Sequence, residues 1–143
     1  MTTTTGNALR AGVIGLGSMG FGMAQSMLRK GLAVAGADLN AAAVARLATE
    51  GGTGAASAVE AARGADALLT VVVNAAQTDA VLFGDKGAAS VMKKGGVIIS
   101  SATMSPDDAR RLAAKAEALG LHYLDAPISG GAVKAAAGQL TVM

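Results

Sequence analysis

Val13-Ile14-Gly15-Leu16-Gly17-Ser18-Met19-Gly20 is the stretch on which the reading of this chain turns. Three glycines spaced G-x-G-x-x-G follow a short apolar segment and open a helical one, and Asp38 closes the next apolar segment. This is the fingerprint of a dinucleotide-binding βαβ unit, each glycine having a physical task. Gly15 permits a tight turn, Gly17 lets the backbone approach a pyrophosphate, and Gly20 lets helix and strand pack closely. The pyrophosphate would meet the free N–H groups at the helix start, where the helix dipole favours negative charge.

Working outward, apolar runs alternate with longer Ala-rich helical segments, the pattern of repeated βα units. Strands are expected near Ala11–Gly15, Leu32–Asp38, Thr53–Ala55, Ala67–Val73, Val97–Ser101 and Leu121–Asp125. Helices are expected at Ser18–Lys30, Ala41–Glu50, Ser57–Gly64 and Pro106–Leu119, with shorter pieces after Asn74 and around Ala88–Lys93. Gly31, Gly51 and Gly120 stand where helices should end, and Asn40 and Ser105 where they should begin. Pro106 fits a first helical position. The fold class is therefore α/β, a Rossmann-type doubly wound, mostly parallel sheet with helices on both faces.

Composition sets bounds. The 143 residues suffice for one domain with a real core, and 52% are apolar. Phe21, Phe83 and Tyr123 are the only aromatics, so aliphatic side chains and Met must fill the interior. A net charge of +2 without a basic stripe argues against nucleic acid. The absence of cysteine excludes disulfides and thiolate metal sites. No His, Asp or Glu cluster has metal-ligand spacing, and no apolar run is long enough for a membrane span. Residues 1–8 are expected to be a disordered leader and 9–143 the dinucleotide-binding domain, in a cytoplasmic protein. Gln139–Met143 reads as a strand barely begun, which points to a fragment of a longer protein.

Several residues are candidates for chemistry. Asp38 is placed to accept hydrogen bonds from the adenosine ribose hydroxyls, and its charge would repel a 2′-phosphate, favouring NAD over NADP. Met19, Met23 and Met27 recur every four residues and read as a core stripe. Asn74, after Val72-Val73, either caps the next helix or faces the cofactor. Ser100-Ser101-Ala102-Thr103 ends a strand at the same sheet edge, where its hydroxyls either reach the nicotinamide ribose or serve an ordinary turn. Asp125-Ala126-Pro127-Ile128-Ser129-Gly130-Gly131 offers backbone donors beside a hydroxyl, suited to a carboxylate and equally to a plain turn. His122, the only histidine, lies inside a strand without a neighbouring carboxylate and is read as structural. No serine sits in a nucleophile elbow. These residues describe a cofactor site without an acid or base.

With these motifs in place, the chain resembles the N-terminal domain of the β-hydroxyacid dehydrogenase family, which includes 3-hydroxyisobutyrate dehydrogenase and tartronate semialdehyde reductase. The resemblance runs from Ala11 to Met143 and includes the first glycine loop and the Asp125–Gly131 loop. Ala37-Asp38-Leu39-Asn40, Val72–Gln77 and Gly130–Ala136 are similar to the family's L-threonate dehydrogenase branch. Met27 stands where leucine is usual. By resemblance, Leu16, Ser18, Met19 and Gly20 hold the pyrophosphate, with Gly15 and Gly17 shaping the loop, and Asp38 holds the adenosine ribose. Val72, Val73 and Thr103 line the nicotinamide side, Asn74 counts with them among the cofactor-binding residues, and Ser129, Gly130 and Gly131 grip the substrate carboxylate.

The resemblance implies no catalytic residue in this chain. The family's lysine lies on a long helix beyond Met143, in a motif that Lys134 does not match. It further implies NAD as cofactor, a small hydroxy acid as substrate and a homo-oligomer in the full-length protein, with the isolated piece inactive. L-threonate, oxidised to its 2-oxo acid, is the preferred expectation. 3-Hydroxyisobutyrate oxidation and tartronate semialdehyde reduction are the alternatives within the family. A non-catalytic dinucleotide sensor is the rival of another class, and a Rossmann-like methyltransferase fits the glycine triad less well.

Overall fold

The computed structural model describes residues 9–143; the expected leader at 1–8 lies outside the described residues. Six strands form one parallel sheet: β1 (Arg10–Ile14), β2 (Ala33–Ala37), β3 (Thr53–Gly54), β4 (Ala67–Thr70), β5 (Val97–Ser100) and β6 (His122–Asp125). Their spatial order is β3-β2-β1-β4-β5-β6, so the chain reverses direction across the sheet between β1 and β4. Ligands of open α/β sheets bind at such a reversal, outside the carboxyl ends of the strands.

The helices divide between the two faces as alternation along the strands requires. Val13, Val34 and Leu69 point to one face, where α1 (Ser18–Arg29) and α2 (Ala41–Thr49) cover them with Phe21, Ala24 and Leu47. Ile14, Leu68 and Ile98 point to the other, under α3 (Ala58–Ala62), α4 (Ala75–Phe83), a 3-10 turn at Ala88–Val91 and α5 (Pro106–Ala118). Of the methionine stripe, Met23 and Met27 pack against the first cluster, while Met19 is half-buried and outside it.

The expected punctuation appears in place. Gly31, Gly51 and Gly120 adopt φ of 89°, 100° and 78° just past their helices. Asn40 accepts from the Ala42 N–H at 3.0 Å, and Ser105 from the Asp108 N–H at 3.1 Å. The strand expected at Ala67–Val73 stops at Thr70 because β1 ends at Ile14; the Val71 N–H makes the last bond, to the Ile14 carbonyl at 2.8 Å.

The end of the chain departs most from expectation. β7 (Ile128–Ser129), α6 (Gly131–Ala137) and β8 (Thr141–Val142) follow the sheet, with β8 pairing antiparallel to β7. The segment that reads as a strand barely begun thus has a partner, and a helix to which the sequence reading assigned no element forms at Gly131–Ala137.

One charged cluster ties the second face together. Asp79 of α4 accepts from Arg111 at 2.7 Å and from Lys115 at 2.9 Å, both on α5. Partial burial pushes the Asp79 carboxyl up, but these two cations outweigh it and hold it below the ordinary carboxylate range. A lowered folded-state value stabilises the fold above the unfolded carboxyl's range, and the benefit disappears as pH falls through the folded value. Asp79→Asn is therefore expected to lose no more than about 1 kcal/mol at pH 7, since both cations are substantially exposed. The difference between wild type and variant should shrink below about pH 4. Urea unfolding across pH 3–7 measures it; a gap independent of pH would show that the ion pair contributes nothing.

Candidate cofactor site

The strands end in register. Ala37, Ile14, Thr70, Ser100 and Asp125 are successive partners across the sheet, so the residues that follow them form its carboxyl edge. At the reversal, Gly15 turns the chain with φ 100° after donating to the Ala37 carbonyl at 2.9 Å. A methyl group on Gly15 would come within 3.0 Å of the Val71 carbonyl oxygen, and one on Gly20 within 3.0 Å of the Gly15 carbonyl oxygen. The loop and the first turn of α1 are therefore in backbone contact. Gly17 differs: nothing lies within 4 Å of where its Cβ would be.

Gly17 is also the N-cap of α1, and among the described residues no side chain caps that first turn. The amide donors of a first turn need a partner. Beside them stands Asp38. Its Oδ2 accepts from the Leu16 N–H at 2.6 Å and its Oδ1 from the Asn40 N–H at 2.7 Å. Half-buried and held at both oxygens, the carboxylate has a set orientation at the end of β2.

A cleft of about 560 Å³ opens between β1, β2 and β4 and collects Gly15, Gly17, Asp38, Val72 and Val73 from the sequence-derived candidates. Leu16 and Ser18 line, with Gly17, a second cavity of about 380 Å³ on the α6 side. The Leu16 side chain is buried in the core, so only its backbone is available to the loop. Gly20 is buried and Met19 half-buried within α1.

Asn74 is the N-cap of α4: its side-chain oxygen accepts from the Gln77 N–H at 2.9 Å. Gln77 Oε1 in turn accepts from the Val73 N–H at 3.0 Å, which holds the Val72–Asn74 strip along the cleft wall. Of the 100–103 segment, Ser100 and Ser101 are buried and Thr103 is exposed. The hydroxyls of Thr70, Ser100 and Ser101 make no hydrogen bond to a protein atom among the described residues. Ser129, Gly130 and Gly131 lie apart from the cleft, at the start of α6, with φ of 139° and 82° at the two glycines. His122 begins β6, at the far end of that strand from the carboxyl edge, and is exposed.

Leu39, Ser57 and Gln77 also line the cleft and are new to the site. Gln77 had a signal, since Asn74-x-x-Gln77 has capping-box spacing. Leu39 and Ser57 had none, because only the sheet order brings them together. Among the described residues no group of three or more His, Cys, Asp or Glu could hold a metal ion, and no helix is long and apolar enough to cross a membrane.

An open glycine at an uncapped helix start, next to a fixed carboxylate and an apolar cleft, fits a dinucleotide: donors for a pyrophosphate, acceptors for a ribose and a cavity for a base. Comparison with known proteins agrees. Residues 10–143 match the family model described as the NAD binding domain of 6-phosphogluconate dehydrogenase. The chain is 51% identical over 132 residues to L-threonate dehydrogenase of Cupriavidus necator, covering 92% of this chain and 44% of that relative. It is 49% identical over 140 residues to L-threonate dehydrogenase of Escherichia coli, covering 97% and 46%. A crystal structure of 3-hydroxyisobutyrate dehydrogenase from Salmonella typhimurium superposes with a TM-score of 0.90 at 54% identity, over 94% of this chain and 47% of that one. The chain spans less than half the length of these relatives.

Proposed function

Since the chain belongs to the family of the NAD-binding domain of 6-phosphogluconate dehydrogenase and its hydroxyacid dehydrogenase relatives, we propose that the full-length protein oxidises L-threonate to its 2-oxo acid with NAD. The observation that carries this reading is the uncapped start of α1 beside the Asp38 carboxylate, opening on the cleft at the strand reversal. The substrate is supported by the two L-threonate dehydrogenases that share about half of the chain's residues.

In this proposal the amides from Gly17 to Gly20 bind the pyrophosphate, and that of Leu16 holds Asp38 beside them. Ser18 adds a hydroxyl at the exposed first turn, and the backbone of Met19 continues the row of donors. Asp38 accepts from the adenosine ribose hydroxyls with the lone pairs that Leu16 and Asn40 leave free, and its charge opposes a 2′-phosphate. Val72, Val73 and Asn74, braced by Gln77, and the exposed Thr103 flank the nicotinamide end. The backbone donors of Gly130 and Gly131, both at positive φ, with the exposed Ser129 hydroxyl take the substrate carboxylate.

NAD, when bound, supplies the acceptor for the hydride that leaves the carbinol carbon. The hydroxyl proton goes to a lysine in the remaining length of the full protein. His122 lies at the wrong end of its strand, and Lys134 is exposed in the middle of α6. A soluble cytoplasmic homo-oligomer completes the proposal.

The test is NADH formation by the full-length protein with L-threonate, D-glycerate or 3-hydroxyisobutyrate, with NAD and NADP in parallel. Turnover of L-threonate with NAD is the expected result. Preference for another of the three acids would overturn the substrate, and tight NAD binding without turnover of any would favour a sensor.

A further inference from the structure

The most extensive helix–helix contact in the chain joins α1 to α6. A methyl group on Gly22, in the second turn of α1, would lie 2.6 Å from the Ala136 amide nitrogen, so the two backbones touch. One turn further along α1, the Ser26 hydroxyl is directed at two carbonyl oxygens of α6, Ala135 at 2.7 Å and Ala136 at 3.1 Å. Arg29 donates to the Ala136 carbonyl as well and to Ser26 Oγ at 3.1 Å. These carbonyls belong to the last turn of α6; the Gly138 N–H reaches that of Ala135 at 3.2 Å, and Ser26 and Arg29 supply donors to that of Ala136 from outside the helix.

The opposite ends of the helices are also neighbours, because Ser18 and Ala132 line the same cavity. Neither N-cap residue, Gly17 or Gly130, bonds its first turn through a side chain. Arg29 lies in the last turn of α1 and against the last turn of α6, where a cation is favourable. The contact thus joins the helix that follows the glycine loop to the helix that follows Ser129-Gly130-Gly131.

We infer that Ser26, supported by Arg29, is a positioning residue that sets the Ser129–Gly131 loop at its working distance from the glycine loop. The inference rests on the reading of that loop as the carboxylate site. Ser26 itself is eight residues past Ser18, about 12 Å along the helix axis, and lines neither the cleft nor the cavity beside α6. Its effect is geometric: the tilt of α6 about the Gly22 contact carries the loop with it, and misplacement on the order of 1 Å weakens a near-attack arrangement steeply.

The experiment uses the full-length protein with Ser26→Ala, Ser26→Thr, Ser129→Ala and, as a control away from this contact, Asp79→Asn. KM for the hydroxy acid turned over, Kd for NAD, and amide hydrogen exchange in α6 are measured for each. Ser26→Ala is expected to raise KM about tenfold, to leave Kd for NAD within about twofold and to speed exchange in α6. Ser26→Thr, which keeps the hydroxyl, should restore KM, and Asp79→Asn should leave it unchanged. An unaltered KM in Ser26→Ala, or an equal weakening of NAD and substrate, would overturn the positioning role. If Ser129→Ala raises KM while Ser26→Ala does not, only the positioning role fails. If Ser129→Ala has no effect, the carboxylate reading fails and takes the inference with it.

Discussion

Gly20→Ala is expected to destabilise the domain by about 3 kcal/mol and to abolish measurable NAD binding, whereas Gly17→Ala is expected to leave the fold within about 1 kcal/mol of wild type and still weaken NAD. The contrast follows from what each methyl group would meet. At Gly20 it would meet the Gly15 carbonyl oxygen inside 3.0 Å, with Val71 behind it. The obstacle is backbone, held by the Gly15 N–H bond to Ala37 and the Val71 N–H bond to Ile14, so it cannot yield without opening the sheet at its reversal. Gly17 has extended backbone with φ −71°, open to any residue, and nothing lies within 4 Å of the added atom. A methyl group there would occupy the space through which a pyrophosphate reaches the α1 amides. Thermal unfolding and calorimetric titration with NAD distinguish the two effects. If Gly17→Ala bound NAD as well as wild type, the pyrophosphate would have to lie elsewhere.

The second large effect is at Asp38. Asp38→Ala is expected to weaken NAD about 10- to 100-fold, the loss of charge-assisted hydrogen bonds, and to narrow the preference for NAD over NADP. Part of that loss is structural, because the carboxylate also holds the Leu16 and Asn40 amides. Asp38→Asn separates the parts. The amide oxygen can still accept from one of the two backbone donors, so more of the loop geometry survives, while the charge that repels a 2′-phosphate is gone. The discrimination ratio should therefore fall in both variants, and the drop in melting temperature should be larger for Asp38→Ala. An unchanged ratio of Kd values for the two cofactors in Asp38→Asn would show that charge at this position does not select between them.

Much of this was legible because local chemistry and tertiary structure agree. The glycine spacing, an apolar segment on either side and an acidic residue closing the second sufficed to read a βαβ unit. The caps at Asn40 and Ser105 and the αL glycines 31, 51 and 120 were readable because each acts on its own few residues. Strand lengths were less so: Val71–Val73 has strand chemistry, yet β4 stops where its neighbour stops. Asn74 looked equally suited to two roles, and the Gln77 backbone N–H donating to its side-chain oxygen shows it as a cap.

A parallel α/β domain whose first strand opens on a glycine loop and whose second is closed by an acidic residue was readable from residue order alone, because the periodicity, the turn glycines and the acidic residue are local signals that no long-range contact needs to complete. Which residues wall the cleft depends on the assembled sheet, since Leu39, Ser57 and Gln77 meet through sheet order alone. Tertiary packing likewise makes Gly131–Ala137 a helix. Seven residues beginning at a glycine pair are too few to hold a helix unaided. That segment is helical because the small face of α1 at Gly22 and Ser26 admits its backbone and satisfies the carbonyls of its last turn.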